Sequence, residues 1–178
     1  MDALRRRRQA RIAMAGLTLI ELMVTLGVLV ILLTIGVAQM SDMVARNSRA
    51  TEVNSMIGHL NFARAEAIFR ASDIVLCPVS PADPGTCTET PWSDGYAVVD
   101  PNTGEALRHQ KASKRVAVRS TGNFSDGVMF RDDGSVRGAA GGSFHFCTPT
   151  ANVEPRRLVI SGMGRVLISE DANCPDST

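Results

Sequence analysis

Aromatic residues are scarce in this chain of 178 residues: one Trp, one Tyr and six Phe amount to 4% of it. So thin a supply of flat side chains argues against a platform for stacking nucleic-acid bases. Neither sign of charge is in excess, with 19 Lys and Arg against 18 Asp and Glu, so no global basic footprint for a polyanion is present. The three His stand apart at His59, His109 and His145. No acid and nucleophile partner them at a recognisable spacing, and no Gly-rich phosphate loop follows a strand. We read no enzyme and no cofactor. The four cysteines include no Cys-x-x-Cys pair, which sets a zinc site behind disulfides as their explanation. Proline is missing from Leu17 to Arg70, so nothing there forbids one uninterrupted helix.

What the chain has in plenty is a greasy run near its start. From Leu17 to Met40 the only charge is Glu21, and Arg5 to Arg8 with Arg11 precede the run. About 20 apolar residues in a helix span a hydrocarbon core of roughly 30 Å. The basic block should hold the N-terminal side in the cytoplasm, with everything after Ser41 on the far side. A lone carboxylate at membrane depth costs several kcal/mol, so Glu21 needs a cation. An ordinary secretory signal loses its apolar core on cleavage. Here a cut after Gly16 would instead free the amine of Leu17, four residues from Glu21, and leave the apolar helix on the mature chain. Pairing within one molecule is awkward, because the helix rises about 1.5 Å per residue and its terminal amine points along the axis. A neighbouring copy displaced by about one turn could bring its amine beside Glu21. Hydropathy alone would also admit a plain anchor with an incidental Glu21.

The string Gly16-Leu17-Thr18-Leu19-Ile20-Glu21-Leu22 resembles the prepilin peptidase signature of type IV pilins and pseudopilins. The resemblance implies that the peptidase cuts between Gly16 and Leu17, that Leu17 is N-methylated, and that Glu21 pairs with the N-terminus of an adjacent subunit. It also implies a single pass of the inner membrane with a periplasmic head, followed by entry into a filament. Two positions depart from the family pattern: Leu17 stands where Phe or Met is usual, and Ala38 where many relatives carry Pro. Without that Pro, any local melting of the helix would rely on Gly27 and Gly36, each about 1 kcal/mol poorer in helix propensity than Ala.

Without residues 1–16, which hold five Arg and one Asp, the chain keeps 14 basic and 17 acidic side chains, a balance near −3. About 135 residues remain beyond the membrane run, enough for one domain with a core of its own. Past Met40 the helical period continues: Val53, Met56, Ile57, Leu60, Ala63, Ala67 and Ile68 recur every three or four residues. Arg46, Arg49, Glu52, Asn54, Asn61, Arg64 and Arg70 read as the polar remainder. From Ala71 short β-rich runs follow, separated by Gly, Pro, Asn and Asp. They are Ile74 to Cys77, Gly95 to Asp100, Ala106 to His109, Arg115 to Arg119, Val128 to Arg131, Ser135 to Arg137, Ser143 to Cys147, Arg156 to Ile160 and Arg165 to Ser169. Pro78 to Trp92 reads as a Pro-rich loop. Asn102-Thr103-Gly104, Asp132-Asp133-Gly134 and Ser161-Gly162-Met163-Gly164 read as turns. His145 alternates with Phe144 and Phe146 and should face the surface.

Asn61 to Ile68, and then Cys77, Cys87, Trp92-Ser93-Asp94-Gly95-Tyr96 and Asp100, resemble the FimU, FimT and GspH group in particular. Spacing leaves three cysteine pairings open. Our choice is Cys77 with Cys87 and Cys147 with Cys174, in a compartment where disulfides persist.

The expected fold is α+β: a long N-terminal helix packed on an antiparallel sheet or sandwich. Its parts are a leader at 1–16, a membrane and filament half of the helix at 17–40, an amphipathic half at 41–71, and a β-rich head at 72–178. The expected function is that of a minor pilin in a type IV pilus, with other minor pilins, the major pilin, the peptidase and the inner membrane as partners. A type II secretion pseudopilin is the nearest alternative. DNA binding is the third. Arg108, Lys111, Lys114, Arg115 and Arg119, with Arg156, Arg157 and Arg165, could contact phosphates, and FimT-like DNA binders carry a Gly-Arg-x-Arg motif. Here Gly164-Arg165-Val166-Leu167 lacks its second Arg, and a solvated strand face explains these charges more simply.

Overall fold

The structure is a computed structural model that describes residues 18–111, 113–138, 141–169 and 173–175, and within the helix the side chains of all residues but 34–39. Gly16 and Leu17, the expected cleavage and methylation site, lie outside the described residues. The chain divides into two compact units, residues 1–39 and 40–178.

Helix α1 (Leu19–Arg70) runs through both. In the first unit it starts where the sequence offers a cap: the Glu21 amide donates to the Thr18 hydroxyl at 3.2 Å, and the Leu22 amide to the Thr18 carbonyl at 3.1 Å. Thr18 is thus the N-cap and Glu21 the third helical residue, the Thr-x-x-Glu spacing of a capping box. In the second unit the helix ends on a Schellman motif. The Ser72 amide donates to the Ala67 carbonyl and the Ala71 amide to the Ile68 carbonyl, with Ala71 left-handed at φ 48°. Glycine is the usual occupant of that position.

The rest of the second unit is two antiparallel sheets. In the first, β1 (Ile74–Ser80) pairs along one edge with β3 (Gly95–Asp100), which pairs with β4 (Glu105–Lys111). The other edge of β1 is shared by β6 (Val128–Phe130) and β2 (Asp83–Cys87). The second sheet runs β5 (Ala117–Gly122), β7 (Gly142–Cys147), β8 (Arg156–Ile160), β9 (Val166–Ser169). One core lies among both sheets and the helix: Val53, Met56, Leu60, Ala63 and Ala67 from α1 meet Ile74, Leu76 and Val98 of one sheet and Phe144, Phe146, Leu158 and Ile160 of the other. Burying a Leu, Ile, Met or Phe contributes about 1.5–3 kcal/mol. Trp92 seals one end, with its ring edge-on to Phe144 at 4.7 Å and its Nε1 donating to the Phe124 carbonyl at 3.0 Å.

Four expectations are corrected. Within the segment read as a Pro-rich loop lies strand β2, and Pro84 is tolerated there because β2 is a sheet edge where a missing amide costs no ladder bond. Ser135 to Arg137 forms only a single bridge, Phe130 to Val136, since Gly134 and Gly138 turn the chain on either side at φ 76° and 94°. Ile68 is 52% exposed and leaves the core stripe. Glu52 is buried rather than part of the polar face, for the reason given below.

Candidate functional site

Among the described residues of the first unit, the helix exposes its large apolar side chains. Leu19, Ile20, Leu22 to Val24, Leu26 and Val28 to Leu33 are all exposed, none by less than half. Glu21 rides on this surface in the first turn, where the partial positive charge of the helix N-terminus favours a carboxylate. It has no ion pair among the described residues. Among those residues no helix is long and apolar enough to cross a membrane; the side chains of 34–39, inside the apolar run, belong to the part not described.

In the second unit a buried polar network fixes the register of the helix on the first sheet. The Tyr96 hydroxyl donates toward Glu52 Oε1 at 3.1 Å with Ser55 Oγ at 3.2 Å, and Ser55 in turn donates to Gln110 Oε1 at 2.9 Å. His59 stands edge-on to the Tyr96 ring at 5.1 Å and donates from Nδ1 to the Ser55 carbonyl at 2.8 Å. Burial raises the Glu52 carboxyl and the Tyr96 phenol and lowers the His59 imidazole, each toward its neutral form. These groups are sealed between helix and sheet, so their work is positional. A sequence signal existed, since Glu52 and His59 lie seven residues apart beside the apolar stripe.

On the outer face of the second sheet, residues 173–175 lie over His145, Arg119 and Cys147. Disulfides join Cys77 to Cys87 and Cys147 to Cys174, with Cα separations of 5.5 and 6.0 Å. Around the second, the Asn173 carbonyl accepts from His145 Nδ1 at 2.9 Å and the Pro175 carbonyl from Arg119. His145 is therefore buried, not surface-facing as expected, because residues 173–175 roof it over. Burial lowers its pKa, opposed by the Asn173 carbonyl.

The basic residues weighed for DNA fall in more than one place, with Lys114, Arg115 and Arg119 lining one hollow beside Cys147 and Cys174. Arg108 on β4 lies over the Phe62 ring, 5.7 Å from its centre. Arg119 and Arg157 share a cross-strand row with His145, whereas Arg156, next along β8, lines a cleft with Arg46 and Arg49 of the helix. Arg165 follows a turn in which Gly164, at φ 71°, donates to the Ser161 carbonyl. Among the described residues no three His, Cys, Asp or Glu are grouped to hold a metal.

Comparison with known proteins places this geometry. The family model described as type II transport protein GspH matches residues 52–164. The fold is similar to that of the type IV minor pilin FimU from Pseudomonas aeruginosa in two crystal forms. One superimposes with a TM-score of 0.54 at 21% identity, covering 74% of this chain and 98% of the other. The second gives 0.56 at 20% identity, covering 78% and 98%. No curated protein matches at a significant level.

Proposed function

The chain belongs to the family of the type II transport protein GspH, and from that premise we propose that it is a minor pilin, a structural subunit of a type IV pilus that helps start the filament or cap its tip. The observation that carries this reading is the run of exposed apolar side chains from Leu19 to Leu33, which need first a bilayer and then other helices around them. Residues 1–16 act as the leader; prepilin peptidase cuts between Gly16 and Leu17, and the Leu17 amine is methylated. Residues 17–40 anchor the chain in the inner membrane, 41–71 tie that half to the head, and 72–178 stand in the periplasm. On extraction into the filament, Glu21 accepts the N-terminal amine of an adjacent subunit, and the head meets the major pilin and other minor pilins. The work is assembly, with no catalytic step and no cofactor.

The capping geometry supports this role for Glu21. Its place in the first turn already suits a carboxylate, and a second subunit's amine would neutralise it where water is excluded. The test is Glu21→Ala in the full chain. The variant should insert in the membrane and be processed, yet be missing from filaments sheared off the cell; incorporation at the parental level would refute the pairing.

The family's description favours a second reading, a minor pseudopilin of a type II secretion system. Crosslinking and pull-down from the native cell separate the two, since the major subunit recovered belongs to one machine or the other. DNA binding stays the third reading, and the basic residues weighed for it are divided between the hollow of Lys114, Arg115 and Arg119 and the cleft that Arg156 lines. A gel shift at physiological salt, with Arg165→Ala beside the parent, tests it.

A further inference from the structure

Helix α1 and the loop before β8 bring three arginines onto one cleft. Arg46 and Arg49 are three residues apart, neighbours on one helix face, and Arg156 opens β8. Together with Asn152, Glu154 and Pro155 they line a cleft of about 370 Å³. Arg49 is pinned in it by donating from Nη1 to the Glu154 backbone carbonyl, an uncharged acceptor. Its Nε is buried and meets no hydrogen-bond partner among the described residues. Burial, then the charges of Arg156 and Arg46, lower its pKa, with the Glu154 carboxylate the weakest influence and the only opposing one. Neither Arg46 nor Arg49 forms an ion pair among the described residues, and Asp42, a turn earlier, receives Asn152 Nδ2 at 3.4 Å instead. Like charges held this close repel, and the described lining sets three arginines against one glutamate.

We propose that this cleft binds a phosphate group, and that the group is the headgroup of an anionic phospholipid. Guanidinium forks match phosphate oxygens in bidentate pairs, and each of the two charged oxygens of a phospholipid phosphodiester has lone pairs for more than one N–H donor. The source follows from position. Arg46 is six residues past Met40, about 9 Å along the helix, and helical side chains lean back toward the N-terminus. That reach brings its guanidinium into the polar layer bordering a hydrocarbon core that ends near Met40. The lipid source rests on the membrane placement proposed above; the phosphate chemistry does not.

The full chain, purified in maltoside micelles doped with equal phosphatidylglycerol and phosphatidylcholine, is examined by native mass spectrometry. In parallel, its melting temperature without added lipid is followed with inorganic phosphate against chloride at matched ionic strength. The parent should retain phosphatidylglycerol preferentially. Arg46→Gln, at an exposed position, should cut that preference about fivefold, the effect of one basic residue at an anionic surface; Arg157→Gln on the other strand face should not. A phosphate-dependent rise in melting that Arg46→Gln abolishes, without lipid preference, supports the site and assigns it free phosphate. An Arg46→Gln variant equal to the parent in both assays, or a parent responding in neither, overturns the proposal. Carbonate extraction of cell membranes tests the anchor separately: a chain released by carbonate yet sensitive to phosphate loses the anchor and keeps the site.

Discussion

Replacing Gly164 with alanine loads two penalties onto one turn. The residue sits at φ 71°, a left-handed conformation that costs a residue with a Cβ about 1–2 kcal/mol. The added Cβ would also lie 2.6 Å from the Gly134 carbonyl oxygen, where carbon and oxygen ordinarily keep about 3.3 Å or more apart. Gly134 cannot retreat freely, because its amide donates to the Arg131 carbonyl and closes the neighbouring turn. Overpacking of this kind costs about 1–3 kcal/mol, so the variant should lose roughly 2–5 kcal/mol in all. For a chain of this length the melting temperature should fall by about 5–15 °C, read by circular dichroism on the full chain in detergent. Gly164→Asn divides the two causes, since Asn tolerates the left-handed region but still brings a Cβ; it should melt between the parent and the Ala variant. Gly58→Ala is the control. No atom lies within 4 Å of its added Cβ, and the gain in helix propensity should stabilise by about 0.5–1 kcal/mol. A Gly164→Ala protein melting within about 1 °C of the parent would show that the turn yields and that the contact means nothing.

Two further perturbations probe the head. Burial raises the Glu52 carboxyl above its unfolded value near 4.5, so the stability tied to its neutral form is whole below that pH and lost as pH rises through the folded value. Glu52→Gln cannot ionise; denaturant titrations should show it gaining on the parent from pH 4 to pH 7, and a constant difference would contradict the linkage. Cys147→Ser with Cys174→Ser opens a loop of 27 residues' separation, worth about 3–4 kcal/mol by loop entropy. The same pair should release the cover on His145, whose imidazole NMR shift would then titrate at higher pH; a loss below about 1 kcal/mol or an unmoved titration would count against the strap.

Much of the architecture was legible because its signals are local. The absence of Pro and the three-and-four spacing of Val53, Met56, Leu60, Ala63 and Ala67 announced the helix, and Gly104, Gly134 and Gly164 marked turns that the backbone makes at positive φ. Strand β2 was not legible, since Pro84 and Gly85 read as loop until an edge position makes a missing donor harmless. Glu52 was misread because a charge beside an apolar stripe is ordinarily solvated, and only the arrival of Tyr96 on β3 gives it a buried donor.

By itself the sequence determined an apolar helix with one carboxylate five residues after Gly16, and a β-rich head behind it, since hydropathy, spacing and turn chemistry act over a few residues. Pairing of the cysteines, burial of His145 beneath residues 173–175, and the parting of Arg156 from Arg157 toward different neighbours were decided in three dimensions. Those outcomes depend on which strands become neighbours and where the last residues lie, and adjacent side chains on a strand point to opposite faces. The meeting of Arg46 and Arg49 with an arginine more than a hundred positions later is of the same kind: only the packing of the helix beside β8 puts these charges within range of one anion.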